Sequence, residues 1–130
     1  MRVVIAEKDV FIPTWNDNKN LPEDEQIKVH YKFPTQNQRN RYITRYPAEL
    51  ESGKNAASGQ NTIRMKIETD DKMMFKLLVT KIENLEWEDH DGQIHEIKKP
   101  DELFDARGLD ALYDEIIGHL FNAQAVQVKN

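Results

Sequence analysis

The residues that could do chemistry in this 130-residue chain are its four histidines and 23 carboxylates, since the sequence has no cysteine. Histidine ligands on a helix are spaced one turn apart, and no pair has that spacing among His30, His90, His95 and His119. The densest group is Asp89-His90-Asp91 with Glu96. It lacks the alternating oxygens and distal glutamate of a calcium loop. A solvated acidic turn is therefore the favoured interpretation, and no metal site is predicted.

Catalysis and cofactor binding are not expected either. A catalytic carboxylate pair needs apolar surroundings that raise the pKa of one member, and no acid of this chain has such neighbours in sequence. A phosphate-binding loop needs a glycine well before its lysine and a serine or threonine after it. Gly53-Lys54 lacks that earlier glycine and is followed by Asn55. We expect a protein that is not an enzyme and has no cofactor.

The carboxylates are concentrated in one segment. Residues 83–96 contain six of them and no lysine or arginine. Residues 66–130 carry 15 acidic and eight basic residues, whereas residues 1–65 carry eight acidic and ten basic ones. An acidic surface of this kind can steer a basic partner, but the favoured interpretation is ordinary solubility. Under the first interpretation, the predicted partner-binding residues are Glu86, Glu88, Asp89 and Asp91.

Nucleic acid is not an expected partner. The net charge of −5 opposes binding to phosphates, because that binding needs clustered cations. A group of arginines and tyrosines resembles a stacking surface; it comprises Arg39, Arg41, Tyr42, Arg45 and Tyr46. The favoured interpretation of this group is an amphipathic helix with a charged outer face.

An apolar stretch must position the acidic segment that follows it. Apolar residues recur at helical spacing from Met74 through Leu78 to Leu85, which predicts an amphipathic helix over Asp71–Leu85 with Asp70 as its N-cap. Leu78 and Ile82 are expected in the core, with Lys76 and Lys81 outside it. The segment from Glu86 to Ile97 then contains an Asp-Gly turn. It predicts a short acidic hairpin anchored by Trp87, Ile94 and Ile97.

Three segments alternate between apolar and polar residues and are predicted strands: Val3–Ile12, Ile27–Phe33 and Ile63–Glu68. Residues 14–25 are polar and predict a loop held by Trp15 and Leu21. Thr35 and Gln38 form a capping-box pattern, which predicts a helix over residues 36–45. Small polar residues predict a flexible loop at residues 47–61.

The last helix is predicted over Leu109–Ala123, with an apolar face that includes Leu112, Ile116 and Phe121. Glu115 and His119 are expected on its outer face. The residues after it could add one more strand. These elements predict one α+β domain over residues 1–130, in which two amphipathic helices pack on a small antiparallel sheet and the acidic hairpin lies between them. No apolar run is long enough to cross a membrane, and we expect no signal peptide.

The first third of the sequence resembles a known family. The resemblance is carried by Phe11-Ile12-Pro13, Asn16-Asp17, residues 21–26 (Leu-Pro-Glu-Asp-Glu-Gln), Val29, Phe33-Pro34-Thr35 and Arg39. It extends loosely to residues 82–85, to Asp91-Gly92 and to the helix from Leu109. These motifs resemble small proteins encoded among the tail genes of long-tailed bacteriophages, which are tail assembly chaperones or minor tail proteins. Residues 51–60 depart from that pattern, where more helix is expected.

The resemblance implies a non-enzymatic protein that binds tape-measure or tail-tube protein during tail assembly. The expected partners are other phage tail proteins and a second copy of the chain, in the host cytoplasm. One alternative is a structural subunit of the virion, such as a head–tail connector or tail-completion protein. Another is an acidic inhibitor of a host nucleic-acid-binding enzyme.

Overall fold

The computed structural model describes residues 1–51, 62–123 and 125–128, and this part of the chain forms an α+β fold. Its strands are β1 (Val3–Ile5), β2 (Lys8–Phe11), β3 (Lys28–Lys32), β4 (Ile43–Glu51), β5 (Thr62–Thr69), β6 (Val79–Glu83), β7 (Glu86–Glu88), β8 (Ile94–Glu96) and β9 (Val126–Val128). Its α-helices are α1 (Gln36–Tyr42), α2 (Asp71–Leu78) and α3 (Asp110–Asn122), and 3-10 turns lie at Trp15–Asn20, Glu23–Glu25 and Pro100–Asp105. The predicted fold class is confirmed.

The core lies on a three-stranded antiparallel sheet with the order β2–β3–β6. Side chains alternate between the two faces of a strand, and β3 follows this rule as the sequence predicts. Val29 and Tyr31 face inward and are 0% and 3% exposed. Lys28, His30 and Lys32 lie on the opposite face and are partly exposed. The sheet therefore has one apolar face and one charged face.

Helices α2 and α3 pack on the apolar face. Phe75 of α2 is fully buried and contacts the rings of Phe104 and Tyr113, at centroid distances of 5.2 and 5.6 Å. The other buried apolar residues form one cluster with it, namely Ile27, Val29, Tyr31, Tyr42, Met74, Leu78, Val79, Ile82, Leu85, Ile97, Leu103, Leu109, Leu112, Ile116 and Leu120. Two amphipathic helices on a small sheet were expected, and that arrangement is confirmed.

The predicted helix over Asp71–Leu85 is too long. Asp70 is its N-cap as expected, and its carboxylate accepts a hydrogen bond from the Met73 amide at 3.1 Å. The helix ends at Leu78, and the next five residues form β6, which pairs with β3. Val79 and Ile82 are three residues apart, a spacing that favours a helix. Both side chains are nevertheless buried in strand β6. The pairing of β3 with β6 shifts its register between His30 and Tyr31, and this irregularity places two residues three apart on the same face.

The predicted strand Ile63–Glu68 exists but does not join the central sheet. As β5 it pairs only with β4, in a two-stranded ribbon with Ile43 opposite Thr69. The capping box of Thr35 and Gln38 is confirmed. The predicted helix over residues 36–45 ends at Tyr42, however, because the chain turns into β4 there. Residues 47–51 of the predicted loop also belong to β4, so that part of the prediction is wrong. Residues 52–61 lie outside the described residues.

The predicted N-terminal strand Val3–Ile12 is two strands. Lys8–Phe11 joins the central sheet, and Val3–Ile5 pairs with β9 in a second ribbon. The Ala6 amide donates to the Ala125 carbonyl at 3.0 Å where this ribbon leaves the core. The strand suggested for the end of the chain is therefore present.

The connection between β2 and β3 is held by a buried side chain. Asn18 is 1% exposed; its amide nitrogen donates to the carbonyls of Pro13 and Ile27 at 2.8 and 3.1 Å, and its oxygen accepts from the Ile27 amide at 2.7 Å. Trp15 packs against the core as predicted, whereas Leu21 is 44% exposed, so its predicted anchoring role is wrong.

The hairpin and the last helix follow the sequence pattern closely. β7 and β8 flank a turn in which Gly92 has φ +82°, a conformation that glycine adopts without strain. Ile97 is buried and Trp87 packs on the core, but Ile94 is 64% exposed and anchors nothing. Helix α3 buries its predicted apolar stripe. The prediction that Phe121 belongs to this stripe is wrong, because its side chain is 48% exposed.

Leu78→Ala should destabilise the fold strongly. Leu78 is 1% exposed between the helices and the sheet, and truncating such a residue costs about 2–5 kcal/mol. Lys81→Ala is the control, because its side chain is 62% exposed and such changes cost under about 0.5 kcal/mol. Urea unfolding of both variants measures the difference. Equal midpoints would contradict the assignment of Leu78 to the core.

Asn18→Ala should also destabilise the fold, although it removes few apolar contacts. It leaves the Ile27 amide and two carbonyls without their partner, and one buried unsatisfied group costs about 1–3 kcal/mol. Asn20→Ala changes an exposed asparagine of the same connection and is the matched control. If thermal unfolding shifts equally for both variants, Asn18 does not hold this connection.

Candidate functional site

The acidic hairpin has two different faces. Across the ladder, Glu86 lies opposite Glu96, Trp87 opposite His95, and Glu88 opposite Ile94. Directly opposite residues share a face, so three glutamates surround Ile94 on one side. We call this set the acidic face: Glu86, Glu88, Ile94 and Glu96. All four residues are exposed, which leaves the face open to a partner.

The acidic face contains an unfavourable pair. Glu86 and Glu96 are directly cross-strand, and like charges in that position destabilise a sheet by a few tenths of a kcal/mol. Glu96 is absent from the partner-binding residues predicted from sequence. The signal that identifies it is the alternation of side chains on either side of the Asp-Gly turn.

Asp89 has a structural role in the turn. Its carboxylate accepts hydrogen bonds from the amides of Asp91 and Gln93 at 2.9 and 3.0 Å, and it lies 2.9 Å from Nε2 of His95. The pKa of the Asp89 carboxyl is lowered below its usual range. The hydrogen bond with His95 is the largest cause, and the hydrogen bond from the Gln93 amide is the second. Of the four predicted residues, Glu86 and Glu88 therefore share a face, Asp89 holds the turn, and Asp91 lies exposed at the tip beside His90.

The opposite face of the hairpin is aromatic. The ring of Trp87 stacks on the ring of His95 at 4.4 Å between centroids. Open clefts of about 560 and 680 Å³ lie beside this stack, next to Glu102 and Arg107 respectively. Among the residues that the structure describes, no serine, threonine or cysteine lines either cleft. The stack and clefts provide a surface that a partner could contact.

His119 and Glu115 are not on the outer face of α3 as expected. Nε2 of His119 lies 2.9 Å from the Tyr31 hydroxyl, and its ring stacks on Phe11 at 3.9 Å. Burial lowers the pKa of this imidazole, whereas Asp9 and Glu115 oppose the shift. The sequence predicts that His119 is exposed to solvent because histidine is polar. In the structure it joins α3 to the sheet.

The Glu115 carboxylate binds the start of the β2–β3 connection. It accepts hydrogen bonds from the Thr14 amide at 2.7 Å, the Thr14 hydroxyl at 2.9 Å and the Trp15 amide at 2.9 Å. Through these hydrogen bonds, Glu115 positions the backbone of Thr14 and Trp15.

A second open surface is apolar. Val3, Val4 and Ile5 of β1 are 46%, 42% and 59% exposed. Because consecutive strand residues point to opposite faces, both faces of β1 are open. A groove of about 480 Å³ extends to Ala125, which accepts the hydrogen bond from Ala6 at the base of the ribbon. Its lining comprises Phe33, Pro34, Phe121, Ala123 and Ala125 together with the polar residues Gln36, Arg39 and Asn122. We call β1 together with this groove the apolar end.

The arginine–tyrosine group does not form a stacking surface in the described part of the chain. Tyr42 is 3% exposed in the core, so its ring cannot stack on a base. Arg41 and Arg45 are exposed. The side chain of Tyr46 lies outside the described residues.

No relative identifies the site. Comparison with protein-family models, with curated proteins and with solved structures gave no match. Within the described ranges, no three histidine, aspartate or glutamate side chains are placed to hold a metal ion. In that same part of the chain, no helix has the length and apolar character to span a bilayer.

Asp89→Asn should remove a pH-dependent contribution to stability. The folded pKa of Asp89 is lowered, so its contribution is present above the unfolded pKa and is lost as the pH falls through the folded value. Thermal unfolding should therefore show wild type more stable than the variant at neutral pH, with a gap that narrows below about pH 5. Asp91→Asn, at the exposed tip beside His90, is the control and should leave stability at neutral pH close to that of wild type. A gap that persists in acid would assign the effect to another group.

Proposed function

We propose that this chain is a non-enzymatic assembly protein of a long-tailed bacteriophage, a chaperone that binds tape-measure or tail-tube protein in the host cytoplasm. The observation that supports protein binding best is the apolar end. The phage assignment rests on the resemblance of residues 11–39 to tail-gene proteins.

The apolar end combines the exposed side chains of β1 with a groove in which Gln36, Arg39 and Asn122 lie beside the apolar residues. A contiguous exposed apolar surface on a folded chain is a typical binding site for another protein. Phe33 and Phe121 line the groove, and aromatic side chains are enriched at the centre of interfaces. An apolar helix of the partner would bury Phe121 and the open side chains of β1. The chaperone would thereby cover partner surface that otherwise aggregates.

The acidic hairpin supplies the electrostatic part of this proposal. Glu86, Glu88 and Asp91 are exposed and belong to the most acidic segment of the chain. Their field would speed the approach of a basic partner and make that rate sensitive to salt. Asp89 contributes indirectly, because its carboxylate holds the turn that displays the others.

Phe121→Ser should weaken binding to the tape-measure protein of the same phage at least about tenfold, which is the effect of losing one well-packed aromatic anchor. Stability should change little, since Phe121 is 48% exposed. Leu21→Ser, at a residue 44% exposed away from the groove, is the matched control. Titration calorimetry measures both affinities, and light scattering measures suppression of tape-measure aggregation.

Two results would contradict the proposal. One is tape-measure protein that neither binds the chain nor aggregates less in its presence. The other is an equal loss of affinity in the Phe121 and Leu21 variants, which would exclude the apolar end as the binding surface.

A further inference from the structure

The outward face of the central sheet is basic, although the protein as a whole is acidic. Lys8 lies opposite Lys32, Val10 opposite His30, and His30 opposite Lys81. Since His30 and Lys32 lie on the face opposite the buried Val29 and Tyr31, their partners share that outer face. We call this set the basic face: Lys8, Val10, Lys28, His30, Lys32 and Lys81.

The charges of the basic face are poorly neutralised within the molecule. Glu83 is the acid of this face; it lies 2.6 Å from Nε2 of His30 and 3.5 Å from Nζ of Lys81. In the described part of the chain, no ion pair is formed by Lys8, Lys28 or Lys32. Lys8 and Lys32 form a directly opposed like-charge pair, as Glu86 and Glu96 do on the hairpin. An acidic partner would relieve this repulsion.

The basic face is also open and slightly concave. Val10, in its middle, is 41% exposed. A depression of about 370 Å³ is lined by Val10, His30, Tyr31 and Thr80, with Lys8, Asp9 and Lys81 beside them. The depression therefore offers an exposed aliphatic side chain beside two ammonium groups and one carboxylate.

The acidic face has the complementary arrangement. Ile94 is 64% exposed and is surrounded by three glutamates. We propose that the basic face of one copy binds the acidic face of a second copy, with Ile94 entering the depression beside Val10. The glutamates would then pair with the lysines around that depression. This inference goes beyond the proposed function and requires only the chain itself.

The geometry of such a contact allows association beyond a dimer. The two faces are different surfaces, so after pairing one copy keeps a free acidic face and the other keeps a free basic face. Heterologous contacts of this kind close into rings or continue as filaments. The association should weaken with salt, because both faces are exposed and their charges are screened.

A second copy fits the basic face better than nucleic acid does. Apart from the imidazole of His30, the outward side chains of this face include no aromatic ring, whereas single-stranded nucleic acid is bound on aromatic platforms. The net charge of −5 opposes approach of a polyanion. A protein surface with three carboxylates and one aliphatic side chain matches the lysines of the face in charge and offers an apolar side chain to the depression.

Charge reversal with rescue tests the inference. One variant carries Lys8→Glu and Lys32→Glu, and another carries Glu86→Lys and Glu96→Lys. Each variant keeps a like-charge pair across its own strands, so stability should be preserved and is checked by thermal unfolding. Each alone should self-associate at least about tenfold more weakly than wild type. An equimolar mixture should regain association, because the reversed face of one variant matches the reversed face of the other.

The measurement is sedimentation velocity at about 0.05 M and about 0.5 M salt. The control variant, Arg41→Glu with Arg45→Glu, makes the same charge change at exposed residues outside both faces and should associate as well as wild type. Wild type that stays monomeric at low salt overturns the inference, as does a mixture that fails to associate. Binding of labelled DNA by wild type, lost in the Lys8/Lys32 variant, would assign the face to nucleic acid instead.

Discussion

The buried amide of Asn18 is the interaction on which the central sheet depends. A long polar connection separates β2 from β3, and those strands must still pair in a fixed register. Asn18 satisfies backbone groups at both ends of the connection. Asn84 donates to the carbonyls of Asp24 and Gln26, and Glu115 accepts from Thr14 and Trp15. The sheet, the hairpin base and the last helix are therefore all joined to one connection by side chain–backbone hydrogen bonds.

Much of the fold could be predicted because local patterns specify it. The alternation of β3, the capping box at Thr35 and the Asp-Gly hairpin each depend on neighbouring residues. The boundary between α2 and β6 could not be placed, since Val79 and Ile82 fit the spacing of a helix and only pairing with β3 makes them a strand. The partner of β5 was missed for a related reason. Which strands pair depends on contacts between separate segments of the chain. The alternation of apolar and polar residues within one segment does not determine these contacts.

The candidate surfaces could likewise be predicted only in part from local sequence patterns. Glu86 and Glu88 were predicted from the density of acids, but Asp89 belongs to the turn because amides there require an acceptor. His119 and Glu115 were assigned to solvent because polar helix residues usually lie there. The basic face was not recognised, since its lysines come from three strands well separated in sequence. Only the register places Lys8, Lys32 and Lys81 together.

The β4–β5 ribbon joins the body without a flexible loop at either side of its base. Helix α1 passes directly into β4, and β5 is followed by Asp70, the N-cap of α2. The Asp70 amide donates to the Tyr42 carbonyl at 2.7 Å across that base, and Tyr42 itself is buried. A load applied to the ribbon is therefore transmitted to both helices at once.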